Sequence, residues 1–138
     1  MINEFQDEYR FLSNFYYSKI LYEGIEYPSV EHAFQAAKTL DKELRLFMSK
    51  MKSCNDVKGY GRKVDLREDW EQVKLQVMYD LVKIKFTSNN YLKQKLIETE
   101  NEELIEGNYW NDFYWGICNG KGENHLGKIL MKVRKELQ

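Results

Sequence analysis

The apolar positions of this chain change their period several times, and each change marks an element. From Tyr16 to Tyr27 the run YYSKILYEGIEY mixes aromatic and β-branched residues around Glu23-Gly24. A two-residue turn carrying glycine favours a short hairpin with a strand on either side. The pattern has to stop at Tyr27-Pro28, because proline holds the residue before it in extended backbone. Ser29 then suits the cap of a helix in which Val30, Ala33, Phe34 and Ala37 form an i, i+3, i+4, i+7 apolar stripe. Glu31, Gln35 and Lys38 fall on the neighbouring polar stripe.

After Asp41, the positions Leu44, Phe47, Met48 and Met51 repeat the helical spacing and predict a second, structural helix. Periodicity then breaks across SCNDVKGYGRKVDLRED, residues 53–69, which carries Gly59 and Gly61 and gathers Lys58, Arg62, Lys63 and Arg67. This stretch reads as a loop with a positive local balance. Asp69 is expected to cap a longer helix, with Gln72 at the capping-box position. Trp70, Val73, Val77, Leu81 and Ile84 lie along one face, which Leu75, Met78, Val82 and Phe86 widen.

Asn90 is placed to cap a short helix through Leu92, Leu96 and Ile97, and Leu104-Ile105-Glu106 reads as a brief strand before Gly107. The segment NYWNDFYWGICNGKGEN is dense in aromatics and glycine and has no helical period. Asn124 is expected to cap a last helix with the stripe Leu126, Ile129, Leu130, Val133 and Leu137. No linker, repeat or low-complexity stretch divides the 138 residues, so one domain is expected over 1–138.

Composition narrows the class. With 43% hydrophobic residues the chain can build a core, and 21 basic against 22 acidic residues leave a net charge of -1, which gives no broad pull toward duplex DNA or an anionic membrane. Any anionic ligand must be met by a local cluster. The start, MINEFQDEYRFLSNF, has neither the basic region nor the apolar run of a signal peptide, so a cytoplasmic location is the expectation. Cys54 and Cys118 are far apart with no CxxC, and two reduced thiols are the simplest reading.

Candidate chemistry is spread along the chain. GENHLGK, at 122–128, matches seven positions of a phosphate-binding loop but has Ile129 where the magnesium-binding hydroxyl is needed, and Gly127 falls inside the last apolar helix. The helix start at Asn124 could nonetheless meet a phosphate. His32 and His125 are remote in sequence, Glu31-His32 is not an HExxH motif and neither cysteine has a nearby partner ligand, so no metal and no cofactor is expected. Glu31 needs no chemistry to explain it, since a carboxylate in a first helical turn offsets the macrodipole by about 0.3–1 kcal/mol. Asp112 stands among Tyr109, Trp110, Phe113, Tyr114 and Trp115, either as a satisfied loop residue or as part of a stacking pocket for a planar ligand. Arg62 and Arg67 flank the glycine-containing stretch, where they are either solvated surface or a grip on phosphate.

Taken in order, FLSNFY (11–16), YPSVEHAFQAAK (27–38), GRKVDLREDWE (61–71), KF (85–86), LIEGNYWNDFYWG (104–116) and GENHLGKILMKVR (122–134) resemble the YbiA-like, or NADAR, family over nearly the whole chain. The resemblance implies an α+β fold, a compact single domain that is mainly helical with a small hairpin or sheet. It also implies an enzyme that hydrolyses an N-glycosidic bond. Bacterial members of the family remove the ribosyl phosphate from early pyrimidine intermediates of riboflavin synthesis, and others act on ADP-ribose attached to guanine. The implied partner is a small phosphoribosyl or ADP-ribosyl substrate, with nucleic acid entering only as a modified substrate and no membrane. The rival class is a module that binds NAD or ADP-ribose without cleaving it.

By matching position, the resemblance implies that Glu31 is the essential carboxylate and that Asp112 binds the ribose hydroxyls or assists the leaving base. Lys38, Arg62 and Arg67 would line the anionic end of the pocket. Trp70 and Trp115 would be its flat walls, and Asn14 and Asn124 further substrate-binding positions. The chain departs from the family in a short FLSNFYYSKI lead-in and in the Tyr109-Trp110 pair, where the family more often has a polar link to its Asp.

Overall fold

The computed structural model describes residues 1–138, with six α-helices and four short strands. The chain divides into two contact units, Asn14–Lys85 and a unit made of Met1–Ser13 with Phe86–Gln138. The α+β class, mainly helical with a small hairpin, is the one that forms.

In the Asn14–Lys85 unit, β1 (Ile20–Tyr22) pairs antiparallel with β2 (Ile25–Tyr27) in the register Ile20↔Tyr27, Leu21↔Glu26, Tyr22↔Ile25. The two turn residues both take positive φ, 48° at Glu23 and 86° at Gly24, as a tight hairpin that follows the strand twist requires. Ile20 and Tyr27 point into the core, the burial of Ile20 worth roughly 1.5–3 kcal/mol. Pro28 ends the hairpin, and the Ser29 hydroxyl accepts the His32 N–H at 3.1 Å to start α1 (Val30–Ala36).

All seven residues of α1 are buried, Glu31, His32 and Gln35 included. The polar stripe read from the sequence therefore does not face water. α1 is enclosed chiefly by α2 (Lys42–Ser49) and α3 (Cys54–Gly61), with the hairpin strands also against it. Asp41 caps α2, its carboxylate accepting from the Glu43 and Leu44 N–H groups. The expected α2 stripe is only partly right. Met48 is fully buried and Leu44 and Met51 half-buried, but Phe47 is 56% exposed and rests on Tyr60, while Arg45 turns inward to the Thr39 carbonyl and the Glu23 carboxylate.

α3 corrects the reading of 53–69 as a loop for its first half, while 62–69 is irregular as expected. Ser53 caps it by accepting the Asp56 N–H at 3.0 Å, and the two glycines that argued against a helix lie inside it. Gly61 faces α1: a Cβ at that position would overlap the side-chain amide oxygen of Gln35, so any other residue there would force that amide to move. The chain then reaches α4 (Trp70–Thr87). Trp70, Val77, Met78, Leu81, Val82 and Phe86 are buried as expected, whereas Leu75 is exposed and Lys85 is fully buried. The Asp69 carbonyl accepts from Gln72 and Val73 at the start of α4, but its carboxylate holds Arg67 rather than capping the helix.

In the other unit, Ile2 bridges Leu104 in parallel, and α5 (Asn90–Ile97) is capped by the Asn89 side chain, one residue before the expected Asn90. The expected strand at 104–106 is displaced to β3 (Gly107–Asn108), which pairs in parallel with β4 (Ile117–Cys118). α6 (His125–Leu137) buries Leu126, Leu130 and Val133 and half-buries Ile129 and Leu137, as its stripe requires. Gly127, part of the loop-like GENHLGK pattern, is a contact glycine, since a Cβ there would overlap the Leu104 carbonyl. No helix is long and apolar enough to cross a membrane.

Candidate functional site

Glu31 occupies the first turn of α1 and is only 7% exposed. A carboxylate removed from water needs hydrogen bonds or an opposite charge to stay ionised. Both are present. One turn further along, the Gln35 amide Nε2 donates to Glu31 Oε2 at 2.8 Å. Beyond the helix end, Lys38 feels the carboxylate directly: burial pushes the Lys38 ammonium below its usual range, Glu31 pulls it back up, and Arg62 and Lys58 push it further down. Glu31, Lys38, Arg62 and Lys58 therefore share one electrostatic neighbourhood, with α3 and its C-terminal residue Arg62 supplying two of the cations.

A buried polar chain holds the start of α1. The Ser29 hydroxyl lies 2.7 Å from His32 Nδ1, and His32 Nε2 lies 2.8 Å from the Met51 carbonyl. Burial lowers the His32 proton affinity, partly opposed by its bond to Met51. A neutral ring that donates from Nε2 to that carbonyl and accepts at Nδ1 from the Ser29 hydroxyl satisfies every atom. The Asn14 carbonyl accepts the Glu31 N–H at 3.1 Å, so Asn14 reaches this helix through its backbone, while its side-chain amide lies 3.5 Å from the Met78 sulfur.

Arg67 braces the segment after α1. Its guanidinium grips the Asp69 carboxylate through Nε at 2.6 Å and Nη2 at 3.2 Å and reaches the Ala37 carbonyl through Nη1 at 3.4 Å. Its backbone N–H donates to the Lys38 carbonyl at 2.8 Å. The bond to Asp69 raises the Arg67 proton affinity and lowers that of Asp69. Trp70 is 5% exposed and packs on Phe34, ring centroids 5.1 Å apart, as a core residue of α1 and α4. Arg62, by contrast, is exposed.

The remaining expected residues lie in the other unit, on the loop between β3 and β4 and at the start of α6. Asn108 organises this loop. Its Oδ1 accepts from the Trp110 and Asp112 N–H groups, and its Nδ2 donates to the Asp112 carbonyl and the Glu106 carboxylate. Asp112 repeats the device one turn on, Oδ1 accepting from Tyr114 N–H at 3.1 Å and Trp115 N–H at 2.9 Å. This leaves the Asp112 Oδ2 atom outside the turn. Trp115 is half-buried, its ring edge-on to Tyr114 at 4.8 Å. Tyr109, Trp110 and Phe113 are exposed.

Asn124 takes a left-handed backbone, φ 54°, and its side chain does not cap α6. Instead Oδ1 accepts the Glu106 N–H at 2.9 Å and Nδ2 donates to the Leu104 carbonyl at 3.0 Å. The first N–H groups of α6 are also engaged, His125 by the Tyr114 carbonyl and Leu126 by the Trp115 carbonyl. The helix start that the sequence offered to a phosphate thus holds the aromatic loop. A shallow cleft of about 340 Å³ in the same unit, lined by Asn3, Glu4, Ile105 and Tyr109 among others, includes none of the nine expected site residues.

Three polar residues of consequence were not assigned a role from the sequence. Gln35 follows Glu31 at i+4, a signal that was present in the stripe. Lys58 belongs to the basic run. Lys85 is a fully buried lysine whose ammonium lies 5.6 Å from the Tyr16 ring centre. Its position seven residues after Met78, on the apolar face of α4, was the available signal. No group of three or more His, Cys, Asp or Glu side chains is arranged to hold a metal ion.

Against known proteins, the model of the NADAR domain family matches residues 2–138. The chain is 40% identical over 136 residues to the N-glycosidase YbiA of Shigella flexneri serotype 5b, covering 95% of this chain and 83% of that protein. It is 36% identical over 135 residues to a riboflavin biosynthesis protein of Vibrio vulnificus, covering 96% of this chain and 36% of that protein. The NMR structure of the Escherichia coli protein YbiA aligns with a TM-score of 0.86 at 36% identity, over 99% of this chain and 86% of that one.

Proposed function

The chain belongs to the NADAR domain family, and from that membership we propose that it is an N-glycosidase that hydrolyses the bond between an amino-pyrimidine and a phosphorylated ribose, as in riboflavin biosynthesis intermediates. The observation that carries this reading is the buried Glu31 carboxylate, held by Gln35 and set beside Lys38 and its neighbours Arg62 and Lys58. Breaking the bond sends its electron pair to the leaving nitrogen, which takes up a proton, and leaves positive charge on C1 and the ring oxygen. An ionised Glu31 stabilises that charge and orients the water whose oxygen bonds to C1, the water proton passing to the carboxylate or to solvent. Lys38 and Arg62 hold the phosphate, so that binding energy remote from C1 positions the sugar.

Arg67 has a different proposed part. With its fork on Asp69 and its main chain on Lys38, it sets the position of Lys38 more than it meets phosphate itself. Asn14 acts through its carbonyl on the Glu31 N–H, Trp70 supports α1 from the core, and Asn124 fixes the loop that carries Asp112 and Trp115. For Asp112 and Trp115 the proposal follows the family motif: a carboxylate oxygen for the ribose hydroxyls or leaving base, and an indole for stacking.

The test is to incubate the purified protein with a phosphoribosylaminopyrimidine and, in parallel, with ADP-ribosylated guanine in DNA, and to identify the released base. Free aminopyrimidine with ribose phosphate is expected, and its absence would overturn the reading. Release of guanine-linked ADP-ribose alone would transfer it to the other substrate class. Binding of both without release would make the chain a recognition module. Asp112 separates its two tasks by substitution. Asp112→Asn keeps an acceptor for the Tyr114 and Trp115 N–H groups and should fold like wild type with reduced turnover. Asp112→Ala should also lose about 1–2 kcal/mol in urea denaturation. Full turnover in Asp112→Asn would confine Asp112 to the turn.

A further inference from the structure

We propose that Gln35 is a positioning residue that aims the Glu31 carboxylate, and that Gly61 exists to give the Gln35 amide its place. This rests on the reading of Glu31 as the reacting carboxylate. Gln35 is 5% exposed, and its Nε2 donates to Glu31 Oε2 at 2.8 Å from one helical turn away. A carboxylate accepts only, so the amide must present its NH2 group to Glu31 and turn its oxygen the other way.

That oxygen lies against the Cα of Gly61, where any Cβ would overlap it, and it finds no hydrogen-bond partner in the protein. A buried acceptor left without a partner is costly. An apolar side chain of the same length would fill the space without that cost. The arrangement therefore favours the direction of one N–H bond over stability, which is the pattern of a functional constraint and not of a packing residue. It also gives α3 a role: the helix brings Lys58 and Arg62 beside Lys38, and its Gly61 seats the amide that sets Glu31. Two glycines that hide α3 from a reading of periodicity thus fall into different classes, because a Cβ at Gly59 would meet nothing within 4 Å.

Gln35→Met keeps length and volume and removes the donor. Measured on the phosphoribosylaminopyrimidine substrate, it should lower kcat by about tenfold or more with KM within about twofold, the signature of a group that matters in the transition state. Its thermal midpoint should stay within about 4 °C of wild type, because the lost donor and the removed orphan acceptor oppose each other. Gly61→Ala should lower kcat in the same way by displacing the amide. In a Gln35→Ala background, where the space is open, Gly61→Ala should add little.

Wild-type kcat in Gln35→Met would overturn the proposal. So would a fall in kcat matched by a large fall in thermal midpoint, or an equal effect of Gly61→Ala in both backgrounds, since each marks a structural role. Glu31→Gln in the same assay keeps the two readings apart. If it retains turnover, the assignment of Glu31 fails. If it loses turnover while Gln35→Met does not, only the positioning role fails.

Discussion

Glu31→Gln should reduce turnover at least about a hundredfold while leaving the protein folded and able to bind phosphorylated sugar. The substitution is isosteric. Its new amide can turn its oxygen toward the Gln35 N–H that now reaches Oε2, so the local packing of α1 is kept. The negative charge is what disappears, and with it the influence that raises the Lys38 proton affinity against burial, Arg62 and Lys58. The sign follows directly: without Glu31 the Lys38 ammonium loses its proton at lower pH than before. Affinity of Glu31→Gln for ribose 5-phosphate should then match wild type near neutrality and fall away earlier as pH rises. Single-turnover kinetics, titration calorimetry across pH and a thermal melt test the three statements separately. Turnover like that of wild type would remove Glu31 from the chemistry whatever the binding data showed.

The parts of this architecture that depend on near neighbours could be read from the chain. The hairpin was legible because Glu23-Gly24 needs two positive φ angles, and the start of α1 because Pro28 and Ser29 end one backbone state and begin another. What escaped depends on partners distant in sequence. α3 was hidden by Gly59 and Gly61, and what a side chain at Gly61 would meet is Gln35, 26 positions earlier. The spacing of α1 showed an apolar and a polar stripe but not that the polar one is buried too, since burial of that side depends on what the rest of the chain places against it. Asn124 was legible as a helix boundary but not as the clamp on Leu104 and Glu106, and Asp112 was legible as special without showing that one of its oxygens holds a turn. The family motifs single out Glu31 where local physics offers only a helix charge, but they carry no sign that Trp70 packs on Phe34 or that Arg67 grips Asp69.

The stability difference between the wild type and Lys85→Met should move in favour of the wild type as the solution becomes alkaline. Lys85 is 1% exposed, and desolvation lowers its pKa from 10.5 to about 7. In the unfolded chain the side chain regains its ordinary affinity. Between about pH 7 and 10.5, therefore, the unfolded state binds a proton that the folded state does not, and the free energy of unfolding rises with pH through that window. Below pH 7 both states are protonated and the slope disappears. A shift of this size corresponds to at most about 5 kcal/mol, and the cation–π contact with Tyr16 offsets part of the cost. Methionine fills similar volume without the charge. Urea denaturation of both proteins at pH 6.5, 8 and 9.5 should show the stability of the wild type rising relative to that of the variant across the series. Titration of other groups is common to both proteins and cancels in the difference. Two curves that rise in parallel would mean that burial does not set the proton affinity of Lys85.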